Sequence, residues 1–128
     1  MQVLLDTHAL LWWLSDDAKL SRRARTVIGT TSNTVFVSAA SAWEIATKVR
    51  LGKLPTGAEL ASDFEGQLER EGFLGLQISV EHAVRAGLLP GEHRDPFDRM
   101  LIAQAQAENL QIVSKEELFD GYGVRRLW

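Results

Sequence analysis

Short apolar runs alternate along this chain with longer stretches in which apolar side chains return every three or four positions. The run "QVLL" (2–5) reads as a buried strand and leads into "HALLWWL", an apolar helix. Ser21 opens a second helical stretch, "SRRARTVIG". The β-branched and aromatic run "TVFV" (34–37) predicts a strand, followed by a helix over "SAWEIATKVRLG" (41–52) that Gly52 closes. Residues 58–71 are amphipathic, "LQI" (76–78) predicts a third strand, and "VEHAVRAGLL" (80–89) predicts a helix that Pro90 ends. The clearest helix runs from Asp95 to Glu108, and "LQIV" (110–113), a short helix near 116–120 and "VRRL" (124–127) complete the order. Alternating strands and helices at these spacings predict an α/β domain around a mainly parallel sheet of about five strands, with no internal linker. The expectation is a single domain over residues 1–128.

Composition narrows the picture without deciding it. The chain is 45% hydrophobic and 24% charged, ordinary globular values, and its longest apolar run, Ala9 to Leu14, is too short to span a bilayer. The start, Met-Gln-Val-Leu-Leu-Asp, carries neither a basic region nor a small-residue cleavage site, so a signal peptide is not expected. The absence of cysteine excludes disulfides and thiolate metal sites and is compatible with a cytoplasmic location. A net charge of −3 argues against a dedicated tight nucleic-acid binder, though not against an enzyme that visits nucleic acid.

The informative feature is where the acids fall. In an open parallel sheet, ligands gather beyond the carboxyl ends of the strands. Asp6 follows "VLL" directly, Glu44 follows "TVFVSAAS", Asp98 sits in the first turn of its helix, and Glu116 lies two residues beyond "QIVS". If the strands are parallel, all four point to one sheet edge, where such a cluster needs a cation and a hard ion such as Mg2+ suits it. Each acid alone also has a structural explanation. Ser41 to Glu44 fits a capping box, Asp95 with Pro96 fits a helix start, Ser114 to Glu117 fits a cap for the last short helix, and Asp6 fits a cap for the first. The coincidence of the four carries the weight.

The segments "LLDTHALLWWL", "VSAASAWEIATKVRLGKL", "LLPGEHRDPFDRMLIAQAQ" and "IVSKEELFDGYGV" resemble the PIN-domain family, and within it the VapC-type toxins of bacterial toxin–antitoxin pairs. The resemblance implies an α/β/α sandwich and a metal-dependent ribonuclease using Mg2+ or Mn2+. By that likeness Asp6, Glu44 and Asp98 are the metal-binding acids. Asp95 is the extra aspartate of the "DPFDR" group, with the roles of ligand, indirect support and helix cap all open. The fourth acidic position, usually aspartate, is Glu116 here, and Glu117 competes for it. Metal held by these acids would activate a water, with Glu44 the choice for general base. The resemblance also implies an RNA substrate, a VapB-type antitoxin and a homodimer.

Other residues can support such a site. Thr7 and Ser114 are placed to hydrogen-bond the acids, and Arg99, beside Asp98, is either a phosphate contact or a structural ion-pair partner. Arg22, Arg23, Arg25, Lys48, Arg50, Lys53 and Arg94 are further basic candidates, each otherwise a solvated helix face. His8, His82 and His93 lack a short metal-ligand spacing; His8 is placed near the site, and His82 in packing or at the surface. The tryptophans of "ALLWWL", Trp12 and Trp13, are either core or part of a partner surface. Two alternative functions remain: a non-catalytic PIN-like binding module, and a phosphoacceptor signalling domain. The second wants an acid pair at the first strand end, which Asp6-Thr7 does not supply.

Overall fold

The computed structural model describes residues 1–93 and 95–128. Arg94, one of the basic candidates, lies outside the described residues. Five strands, β1 (Gln2–Leu5), β2 (Thr34–Ser38), β3 (Leu74–Leu76), β4 (Gln111–Val113) and β5 (Arg126–Leu127), form one sheet in the order β3-β2-β1-β4-β5. Every pairing is parallel, with Leu5 opposite Val37 on one side and Val113 on the other. The sheet carries helices on both faces, α1 (Thr7–Leu14), α2 (Arg22–Gly29), α3 (Ala39–Arg50), α4 (Ala58–Ser62), α5 (Phe64–Glu71), α6 (Val80–Leu88) and α7 (Pro96–Glu108), with 3-10 turns at Pro55–Gly57 and Glu117–Tyr122.

Strand pleating divides the core into two. Val3 and Leu5 point to one face with Val35, Val37, Ala9, Leu10 and Ile45; Leu4 points to the other with Ile112, Leu101, Ile102 and Phe119. Because β1 is central and buried on both faces, it reads as consecutive apolar residues after the exposed Gln2. The result is the three-layer α/β/α sandwich expected from the sequence.

Several boundaries differ from the sequence reading; the last strand, for one, is confined to Arg126–Leu127 within the expected 124–127. The third strand lies at Leu74–Leu76 rather than 76–78, because the edge strand pairs only with β2, in the register Phe36 with Leu74. The amphipathic stretch 58–71 breaks at Asp63, whose carboxylate caps the second half at Gly66 N, 3.2 Å away. Helix α3 begins at Ala39, not Ser41: Ser38 Oγ accepts from Ala40 N at 3.0 Å and donates to the buried Gln104 Oε1 at 2.6 Å. The capping box at Ser41–Glu44 therefore does not form, and both residues lie inside the helix on its buried face. Gly52, with φ of 73°, follows the last turn of α3 as expected.

The chain crosses from one half of the sheet to the other between β3 and β4, so β1 and β4 flank the point where the winding reverses. Asp6 leaves β1 there, tied by its backbone N–H to Val113 O at 3.1 Å. No helix among the described residues is long and apolar enough to cross a membrane.

Candidate metal centre

At the end of β1 the chain turns directly into α1, and Asp6 becomes its cap: its Oδ1 accepts from Ala9 N at 2.7 Å. Only 5% of Asp6 is exposed, and burial pushes its carboxyl up from 3.8 to about 6. Hydrogen bonds from Ser114 and Ala9 and the nearby His8 work against that rise, while the charge of Asp98 adds to it. Asp98, in the first turn of α7, is raised as well, first by burial and then by the charges of Asp95 and Glu44. His93 Nε2, 3.0 Å from Asp98 Oδ2, opposes that shift. Asp6 and Glu44 thus each lie within electrostatic reach of Asp98, although the three come from separate parts of the chain.

Glu44 is brought in by the second turn of α3. Its Oε1 accepts from the Thr7 hydroxyl at 2.7 Å, and Ser41 Oγ lies 3.0 Å from the same hydroxyl. Its Oε2 receives the Lys48 ammonium at 2.6 Å. Each oxygen of Glu44 thus already accepts from one protein donor, a neutral hydroxyl on one side and an ammonium on the other. Thr7 and Ser114 do contact the acids, Thr7 at Glu44 and Ser114 at Asp6.

The remaining acids behave differently. Asp95 is exposed and caps α7, its Oδ1 accepting from Phe97 N at 2.9 Å and Asp98 N at 3.2 Å. Glu116 and Glu117 are exposed; Glu116 heads the last 3-10 turn without a side-chain cap, its own backbone N–H donating to Ser114 Oγ at 2.9 Å. Ser114 thus braces the turn and Asp6 together, and does not cap a helix. Among the described residues, no group of three or more acidic or histidine side chains stands close enough together to hold a metal ion. Asp98 feels the charge of Glu44, Asp6 feels that of Asp98, and each of the three is engaged by a protein donor. Their chemistry nevertheless fits a hard divalent ion: all the donors are carboxylate oxygens, and among the described residues no cation pairs directly with the buried Asp6.

Several basic candidates have other work. Arg99 gives its guanidinium to three backbone carbonyls, of Ala86 at 3.1 Å, His93 at 3.0 Å and Leu89 at 2.5 Å. It fastens the turn before α7, and among the described residues it makes no side-chain ion pair. Arg25 pairs with Asp16 and bonds the carbonyl of Asp17. Arg22, Arg23, Arg50 and Lys53 are exposed. His82 is buried; it accepts from Ser79 N and meets Glu108, as packing requires. His8 stacks on Trp12, whose ring tilts against Trp128, and Trp13 packs near Phe73. The most exposed tryptophan is instead Trp43, at 63%, edge-on to Phe97. Sequence reasoning passed over His93 as an acid partner, because a loop histidine five positions before an aspartate has no periodic signature.

Residues 3–124 match the family described as PIN domain. The chain belongs to the PIN-domain family. In the curated "Ribonuclease VapC16" of Mycobacterium tuberculosis (strain ATCC 25618 / H37Rv), 59 residues align at 44% identity, covering 46% of this chain and 40% of that protein. The match thus spans less than half of that relative's length. Among solved structures, VapBC2 from Rickettsia felis bound to a DNA fragment from its promoter superposes with a TM-score of 0.69 at 17% identity, covering 99% of this chain and 98% of that one. A toxin–antitoxin complex from Klebsiella pneumoniae gives 0.65 at 18% identity, with 98% and 96% covered. FitAB bound to the IR36 DNA fragment gives 0.67 at 16% identity, with 99% and 94% covered. At these identities the structural likeness speaks for the PIN fold.

Proposed function

We propose that this PIN domain is a metal-dependent endoribonuclease, the toxin of a VapC-type toxin–antitoxin pair, in which Asp6, Glu44 and Asp98 hold Mg2+ or Mn2+. The observation that carries the proposal is Asp6: a carboxylate buried where the sheet winding reverses, within reach of the Asp98 charge. A buried acid of this kind is costly unless a cation neutralises it, and a structural cap alone does not need the burial. The family match and the aligned ribonuclease support the same reading.

A bound divalent ion would polarise the scissile phosphate and supply an activated water. The chain's own residues do the positioning. Ser114 and Ala9 N fix the orientation of Asp6, Thr7 fixes Glu44, and Arg99 secures the turn from which His93 reaches Asp98. Asp95 starts the helix that carries Asp98, and Glu116 stands at the margin as a candidate fourth ligand acting through water. The remaining parts of the proposal are an RNA substrate, a VapB-type antitoxin partner, a homodimer, a cytoplasmic location and a single domain over residues 1–128.

The test is RNA cleavage by protein purified free of antitoxin, with Mn2+, Mg2+ or chelator, beside Asp6→Asn and Asp98→Asn. Cleavage that needs the metal and fails in both variants supports the proposal. Metal-independent cleavage, or equal rates in wild type and variants, rejects it.

A further inference from the structure

We infer that Lys48 is the resident counter-cation of Glu44, and that a divalent ion entering the carboxylate site must take Glu44 from it. The inference rests on the proposed metal site and says what holds that site in its metal-free form. On α3, Glu44 and Lys48 are four residues apart with the acid nearer the N-terminus, the favourable order for a helical pair. The pair is asymmetric. The Glu44 side chain is 10% exposed and the Lys48 side chain 40%, so the acid is anchored inside and the ammonium reaches it from the surface. With Thr7 on Oε1 and Lys48 on Oε2, Glu44 has a donor at each oxygen.

Removing that ammonium without replacement would leave Glu44 a buried, unneutralised anion beside the Asp98 charge. Exchange of one cation for another avoids this. The four-carbon stem of lysine permits the exchange, because Lys48 also lines an open groove with His8, Trp12 and Lys53. The ammonium has somewhere solvated to go.

The test measures Mn2+ binding to metal-free protein by calorimetry or by loss of the free-ion magnetic resonance signal. A partly exposed ion pair of this kind is expected to hold back the ion about two- to five-fold. Lys48→Met should therefore bind Mn2+ tighter by about that factor, while its metal-free melting temperature falls and its gain in melting temperature on adding Mn2+ grows. Lys48→Arg, which keeps the charge, should bind as the wild type does. Lys48→Gln gives the same direction as methionine with a polar group retained, and serves if the methionine variant folds poorly. A folded Lys48→Met or Lys48→Gln that binds Mn2+ no tighter than wild type overturns the inference, as does Lys48→Arg tightening as much as methionine. Asp6→Asn separates the two levels. If it binds Mn2+ like the wild type, the ion sits elsewhere and the proposed centre fails together with the role of Lys48. If it abolishes binding while Lys48→Met changes nothing, only the role of Lys48 fails.

Discussion

Two sides of the same sheet edge carry acids, and they have been put to different uses. On the inner side, Asp6 and Glu44 are buried, fixed by Ala9, Ser114, Thr7 and Lys48, and close to the charge of Asp98. On the outer side, Asp95 and Glu116 are exposed, the first capping α7 and the second heading a 3-10 turn. Both sides satisfy the rule that ligands gather beyond strand ends. Burial separates them: a carboxylate in water is neutralised by solvent, and one withdrawn from water depends on a proton, hydrogen bonds or a cation.

The largest test of this contrast is Asp6→Asn. Asparagine keeps the cap but cannot carry the charge, so RNA cleavage should fall at least ~100-fold as metal-supplied stabilisation is lost. Stability should move the other way. Because the folded pKa lies above the unfolded one, folded protein binds more protons between pH 3.8 and about 6, and metal-free stability falls as pH rises through that window. The ionised side chain costs up to ~3 kcal/mol at neutral pH, at 1.36 kcal/mol per unit, so Asp6→Asn should recover much of that in urea melts with chelator. A metal-free stability indifferent to pH across this window would remove the argument from burial.

Arg99→Ala comes next. Three carbonyls lose a charged donor, and a loss of roughly 1.5–3 kcal/mol is expected by chemical denaturation, with Arg99→Lys restoring only part. An unchanged midpoint would return Arg99 to the list of substrate contacts. Asp95→Ala should cost ~0.5–2 kcal/mol through loss of the cap while Mn2+ affinity stays at the wild-type value. A fall in affinity would move Asp95 into the metal's own shell. Smallest is Glu116→Gln, expected to shift Mn2+ affinity by no more than about two-fold, the size of a screened surface charge. A larger loss would make Glu116 a direct ligand and weaken the distinction between the two sides.

Much of this was legible from residue pattern. The parallel sheet follows from the spacing of apolar runs, and the caps at Asp6, Ser21 and Asp95 follow from residue type, because capping is a local event. The position of Asp6 at the carboxyl end of a parallel strand also followed from topology. What the pattern missed was set by tertiary contacts. The start of α3 was misplaced because Ser38 gains a buried partner, Gln104, sixty-six positions away, and nothing near Ser41 reports that bond. Arg99 beside Asp98 suggested an ion pair or a phosphate contact, but its direction is fixed by carbonyls at the end of another helix. Lys48 was legible as a base near Glu44, while its contact with one particular oxygen needed the burial of α3.

The placement of β1 between β2 and β4 has a bearing on how the fold comes apart. One neighbour of the central strand, β2, follows it after α1 and α2, while the other, β4, comes only after α7. Asp6 is tied to that second neighbour through Val113 O. Loosening β4 would therefore disturb the cap of α1 and open both apolar layers in a single event, so the carboxylate and the core share one hinge.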